Sequence, residues 1–306
     1  SKAAIDAMLP YMEEYYGNPS SLYAFGQQAK EALENARSRI AACLHADPRE
    51  VTFTSGGSEA DNQAIMTAAA LGMRRGKKHI VSTAFEHHAV LHTLEKLKKQ
   101  GFEVTLLDVH NTGLVRPEQV AEAIREDTCL VTIMYANNEI GTIQPVTEIG
   151  AICREKGVLF HTDAVQAAGH LHIDVKEQNI DMLSLSAHKF HGPKGIGALY
   201  AKRGIILETI INGGAQERGR RAGTENLAGI VGLATALEAA VNSLDEKRAR
   251  LARMRDYVLE HIQKMSQVKV NGPLDGSKRL PNNVNASFTA AEGESLLLML
   301  DMRGVC

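Results

Sequence analysis

The chain has 306 residues, with 34 Lys and Arg against 36 Asp and Glu and a formal net charge of −2. So even a balance gives no electrostatic argument for a nucleic-acid or membrane-surface partner. With 44% apolar and 23% charged residues, the composition excludes disordered, collagenous and disulfide-scaffold classes, and a chain this long buries roughly 75% of its unfolded surface without covalent staples.

No apolar run approaches the ~20 residues that cross a bilayer, and residues 1–12 lack the basic-then-apolar pattern of a secretory signal. A cytoplasmic location, with no membrane partner, is the expectation. Cys43, Cys129, Cys153 and Cys306 are scattered with no CxxC pair, which points to neither a zinc site nor a disulfide framework and fits a reducing compartment.

In chain order, the first strand is predicted over 51–54, followed by Thr54-Ser55-Gly56-Gly57-Ser58-Glu59 and a helical run over 60–71. Strand, loop and helix in this order make an anion site. Glycines admit close backbone approach, the helix N-terminus presents free N–H groups, and a serine hydroxyl donates to phosphate. Taken alone, Ser58 is equally well a helix cap. The loop matches neither GxGxxG nor GxxxxGK[ST], which makes a nucleotide site remote.

Strands over 79–82, 103–107 and 130–135 follow, with helices in the gaps. Pro117 and Pro145 mark helix starts, where a missing N–H costs no hydrogen bond. The strand over 158–161 leads into His161-Thr162-Asp163-Ala164-Val165-Gln166, placing Asp163 at a carboxyl end, where α/β sheets bind ligands. An acid there suits a cationic ring nitrogen or a metal, and equally an N-cap.

The strand over 182–186 runs into Ala187-His188-Lys189-Phe190-His191-Gly192-Pro193-Lys194-Gly195. Lys189 stands out, because a partly desolvated lysine loses its proton and attacks a carbonyl, as a Schiff-base lysine must. A solvated loop lysine is the plain alternative, and Lys194 competes for the same role. A strand over 197–201 completes seven. After Thr224 the pattern turns helical over 226–243 and becomes charged and helical over 244–265, with a domain boundary near there. A strand over 268–270, turns over 271–283, a strand over 284–288 and an apolar helix over 293–302 close the chain. The whole reads as an α/β protein with a mainly parallel sheet flanked by helices.

Ser186-x-His188-Lys189, His161-x-Asp163-x-x-Gln166 and the loop from Thr54 to Glu59 together resemble the class V aminotransferase group of pyridoxal-phosphate (PLP) enzymes. Gly17-Asn18-Pro19-Ser20-Ser21, Glu86-His87, Asn137-Asn138-Glu139-Ile140-Gly141 and the run QERGRRAGT over 216–224 narrow the resemblance to the NifS/IscS type of cysteine desulfurase. These motifs stand in the family's order over nearly the whole chain.

The resemblance implies the PLP-dependent transferase fold of type I: a seven-stranded, mainly parallel sheet in a large PLP-binding domain over 12–245. Residues 1–11 with 246–306 would form a smaller α+β domain, incomplete at both ends. It implies the conversion of L-cysteine to L-alanine, with sulfur passed as an enzyme persulfide to an iron–sulfur scaffold or another acceptor. Lys189 would bind the cofactor and move the α-proton. Asp163 would pair with the ring nitrogen, Gln166 and Asn138 (or Asn137) would contact the ring oxygen side, and His87 would stack on the ring and exchange protons. Gly57, Ser58, Ser186 and His188 would hold the phosphate, joined by Thr224 from the other subunit of a homodimer. For the run with three arginines over 216–224 the plain alternative is a solvated basic loop.

Two departures accompany the match. The family's catalytic cysteine, in a Ser-Ser-Gly-Ser-Ala-Cys loop, falls beyond a segment resembling 297–305, with Cys306 a few residues short of it, and the arginine that clamps the substrate carboxylate lies further on. The expectation is a portion of a longer protein, with Cys306 a small apolar residue rather than the nucleophile. Two rivals stand beside the desulfurase: another class V enzyme, such as a selenocysteine lyase or small-substrate aminotransferase, and a non-catalytic scaffold that retains the fold.

Overall fold

The computed structural model describes residues 1–289 and 291–305; Cys306, read above as a non-nucleophilic residue, lies outside them. Strands β1 (Val51–Thr54), β2 (His79–Thr83), β3 (Glu103–Leu107), β4 (Thr128–Thr132), β5 (Leu159–Asp163), β6 (Met182–Ser186) and β7 (Gly197–Ala201) form one sheet in the order β1-β7-β6-β5-β4-β2-β3. The pairs β2–β3, β2–β4, β4–β5 and β5–β6 are parallel. Only β7 runs against its neighbours, β1 and β6. Strands β1, β2, β4, β6 and β7 are buried along their whole length, as strands covered by helices on both faces must be, and hence read as near-continuous apolar or β-branched runs.

The helices are α1 (Lys2–Met8), α2 (Pro10–Glu13), α3 (Ala24–Cys43), α4 (Gly57–Met73), α5 (His88–Lys98), α6 (Pro117–Ala123), α7 (Val146–Lys156), α8 (Leu227–Asn242), α9 (Leu244–Gln263) and α10 (Gly293–Asp301). Helix α4 packs on β4, β5, β6 and β7, and its Ala60, Ala64 and Ala68 are fully buried, small enough to let the helix lie close to the sheet. Helix α8 is apolar nearly all round, because α1 and α3 both pack against it. Among the described residues no single helix is long and apolar enough to cross a membrane.

Element boundaries differ from the sequence reading where hydrogen bonding decides them. The strand expected over 158–161 runs on to Asp163, because Asp163 pairs in register with Ser184 of β6. The strand expected over 130–135 ends as a ladder at Thr132, yet the Ile133 and Tyr135 N–H groups still donate to the His161 and Asp163 carbonyls (3.2 and 2.8 Å). That extension carries Met134 and the loop behind it to the edge of a cavity. Pro117 opens α6 as expected, whereas Pro145 stands one residue ahead of α7, as its cap.

Helix α1 lies on α8. Beyond α9, β8 (Val268–Val270) and β9 (Ala286–Phe288) form an antiparallel ribbon. The segment between them is tied to the large sheet's loops: Ile143 N–H donates to the Lys278 carbonyl (2.9 Å), and Leu280 N–H to that of Gly141 (2.7 Å).

Candidate active site

The carboxyl ends of β4, β5 and β6 meet the start of α4 around a cavity of about 200 Å³. Gly57, Ser58 and Asp61 of α4, His87 ahead of α5, Met134 and Asn138 after β4, and Asp163, Val165 and Gln166 from β5 onward form its wall, with Ser186, His188 and Lys189 from the end of β6. Every site residue singled out from the sequence is there except Thr224. That residue is exposed and lies by a separate small cavity with Ser55 and Arg221.

The rim is built by tight turns. Helix α4 starts at Gly57 and its cap is Gly56, with no side chain closing the first turn, so Ser58 does not cap it. Gly56 (φ 154°, ψ −177°) adopts backbone that essentially only glycine takes. A Cβ on Gly57 would meet Val165 Cγ2 at 2.5 Å, so the first turn lies directly against the chain leaving β5. The open N–H groups of that turn are what an anion requires. Across the same wall, His188 Nδ1 and Ser186 Oγ are hydrogen-bonded at 2.9 Å, and burial, Lys189 and Lys194 lower the His188 pKa.

Lys189 sits in the short turn Ala187–Phe190 that follows β6. The turn closes through Gly192 N–H to the Ala187 carbonyl (2.9 Å), with His191 in left-handed backbone (φ 67°). Lys194, the competing lysine, is not on the cavity wall. His87 Nδ1 accepts from Ala89 N–H (3.1 Å), which leaves Nε2 as the ring nitrogen that can donate. Of the two adjacent asparagines, Asn137 is buried and committed. Its Oδ1 accepts from the Glu139 and Ile140 N–H groups (both 2.9 Å) and its amide donates to the Phe85 carbonyl, so Asn138 is the one on the cavity wall.

The floor is acidic and buried. Asp163 is 5% exposed; burial raises its pKa, while the Val165 N–H donated to its Oδ1 (2.9 Å), His87 and Lys189 pull it back. Asp61 is 1% exposed. Burial and then the Asp163 charge push its carboxyl well above the usual range, against a hydrogen bond from Ser184. Glu86 accepts from Thr83 Oγ1 (2.6 Å) and from Met134 N–H (3.0 Å to Oε2), and burial pushes it up to about 8. His161 is buried, and that burial holds it down to about 3.

Asp61 escaped the sequence reading. Its signal was its spacing, three and four residues after Ser58 and Gly57, which puts it on their face of the helix. The described cysteines sit elsewhere: burial raises Cys43 and Cys129 to about 11 and Cys153 to about 12, and none lines the cavity. An acid floor, an open helix N-terminus and a lysine on one cavity fit a phosphorylated, cationic aromatic aldehyde such as PLP.

A family model described as Aminotransferase class-V matches residues 1–306. The chain is 53% identical over 302 residues to a cysteine desulfurase IscS of Clostridium botulinum, covering 98% of this chain and 76% of that protein. It is 52% identical over 304 residues to the IscS of Methanosarcina thermophila, covering 99% and 74%. Among solved structures, a NifS-like protein superposes with a TM-score of 0.95 at 38% identity, covering all of this chain and 83% of that one. A structure described as SspA in complex with cysteine gives 0.85 at 37% identity, covering 100% and 85%. The chain belongs to the class V aminotransferase family and, within it, to the cysteine desulfurases of the IscS and NifS type.

Proposed function

We propose that this chain is a PLP-dependent cysteine desulfurase, which converts L-cysteine to L-alanine and passes the sulfur as a persulfide toward iron–sulfur cluster assembly. What carries this reading is that Lys189 and Asp163 face one cavity from the ends of the adjacent strands β6 and β5, with the open start of α4 in the same wall. When bound, PLP supplies an electron sink that stabilises negative charge on the substrate α-carbon.

The residues divide the remaining work. Lys189 would hold the cofactor through its aldehyde and carry the α-proton of the substrate. Asp163 would pair with the ring nitrogen and favour its protonated state. Gln166 and Asn138 would hold the ring oxygen side, and His87 would stack on the ring and exchange protons. Gly57, Ser58, Ser186 and His188 would hold the phosphate, joined in a homodimer by Thr224 of the other subunit. Sulfur leaves when the substrate C–S bond breaks and an S–S bond forms to a protein thiolate. The high pKa of Cys43, Cys129 and Cys153 makes each a poor candidate for that thiolate. The reading keeps 12–245 as the cofactor domain, and a cytoplasmic location goes with it.

The full-length protein that contains this chain, saturated with PLP and given L-cysteine, is expected to form alanine together with thiol-releasable sulfur. A keto acid product would replace the reading with another class V activity. Bound cofactor without alanine would replace it with the scaffold.

A further inference from the structure

The buried acid that the mechanism leaves unused is Asp61. It lines the cavity, it is 1% exposed, and its Oδ1 has no hydrogen-bond partner among the described residues, lying 3.7 Å from His161 Nε2. Resting on the PLP reading above, we propose that Asp61 is a positioning residue that works as a neutral acid, presenting an O–H rather than a charge to the cofactor cavity and to Asp163.

His161 contacts Thr132 Oγ1 through Nδ1 (2.8 Å) and Ser184 Oγ through Nε2 (2.9 Å). Being neutral, it has one N–H to give and one lone pair to receive. Both ring nitrogens are thus engaged by hydroxyls, and neither His161 nor Ser184 gives Asp61 Oδ1 a hydrogen bond. Burying an ionised carboxylate with that oxygen unpartnered costs far more than burying the neutral acid.

The surroundings agree on which acid keeps its proton. Asp61 on α4 meets His161 and Asp163 from β5, Ser184 from β6 and Glu86 from the turn ahead of α5, none of them a standing positive charge. The two basic groups that act on the floor, His87 and Lys189, act on Asp163. Asp163 thus takes the negative charge and Asp61 supports it without adding another. The cavity then offers one carboxylate to one ring cation.

The test uses the PLP-loaded enzyme and reads the pH midpoint of the bound cofactor's visible absorbance, with the cofactor dissociation constant beside it. Asp61→Asn keeps an N–H donor and no charge, so its midpoint is expected to match wild type, with affinity within about two-fold. Asp61→Leu fills the space without a donor and is expected to move the midpoint and weaken affinity about ten-fold. Asp61→Ala replaces it should the leucine variant not fold. An Asn variant that shifts as the Leu variant does would show that the charge was needed, and a Leu or Ala variant that titrates like wild type would show that Asp61 only fills space. Either overturns the proposal. Wild-type protein that takes up no PLP overturns the underlying reading instead, a result distinct from both.

Discussion

Asp61 and Asp163 on the cavity floor, with Glu86 beside them, are at most 5% exposed, whereas Ser58, His87, Asn138, His188 and Lys189 stand exposed around the rim. On the floor, acidity is set by what the fold excludes: burial is the leading cause of the raised pKa of all three acids. On the rim, side chains are placed by short-range backbone geometry, as in the Gly56 cap and the turn carrying Lys189. The two regions therefore fail differently. A rim substitution removes a reacting or binding group from an intact fold, and a floor substitution alters the fold's own pH dependence.

The largest effect expected from breaking this contrast is at Lys189. Lys189→Ala is expected to lower alanine formation about a thousand-fold or more with unchanged thermal unfolding. Lys194→Ala, in the same loop but off the cavity wall, is expected to stay near wild type. Steady-state assays with cysteine check both; comparable losses in the two variants would remove the distinction between the lysines.

Gly57 joins rim to floor, so it should show both kinds of failure at once. A methyl group there would lie 2.5 Å from Val165 Cγ2, and Gly57→Ala is expected to cost about 1–3 kcal/mol while weakening phosphate binding. Adding Val165→Ala opens the space, so the double variant should unfold at a higher temperature than the two separate losses would sum to. Additive losses in thermal unfolding would show that the two side chains do not compete for that volume.

How much of this was legible beforehand follows the same division. Five of the seven sheet strands are buried along their whole length and were visible as apolar or β-branched runs, and Asp163 and Lys189 were visible because one ends a strand and the other sits in the turn just after one. Strand ends were less so: Asp163 belongs to β5 through its pairing with Ser184, and Tyr135 is held by the Asp163 carbonyl, contacts between segments distant in sequence. Asn137 and Asn138 were interchangeable as letters until the hydrogen bonds of Asn137 were known. Asp61 left no mark beyond its helical spacing, since its character comes from Asp163 and Ser184, more than a hundred positions away. Thr224 is an exposed residue off the cavity within one chain, and its proposed role needs a second copy.

The effect most specific to the floor concerns Glu86, an acid off the cavity wall. Its carboxyl is raised from the ordinary 4.5 to about 8, so the folded state holds that proton more tightly than the unfolded chain. The stability this confers is complete below pH 4.5 and is lost as pH rises toward 8. Glu86→Gln keeps an oxygen for Thr83 Oγ1 and Met134 N–H but has no proton to lose. Relative to wild type it should gain on the order of 2–4 kcal/mol between acid and pH 8. Urea unfolding of both proteins at pH 5 and pH 8 measures the difference. A gap that is the same at both pH values would mean that Glu86 is already ionised in the folded protein, and that burial on the floor does not control acidity in the way the contrast with the rim requires.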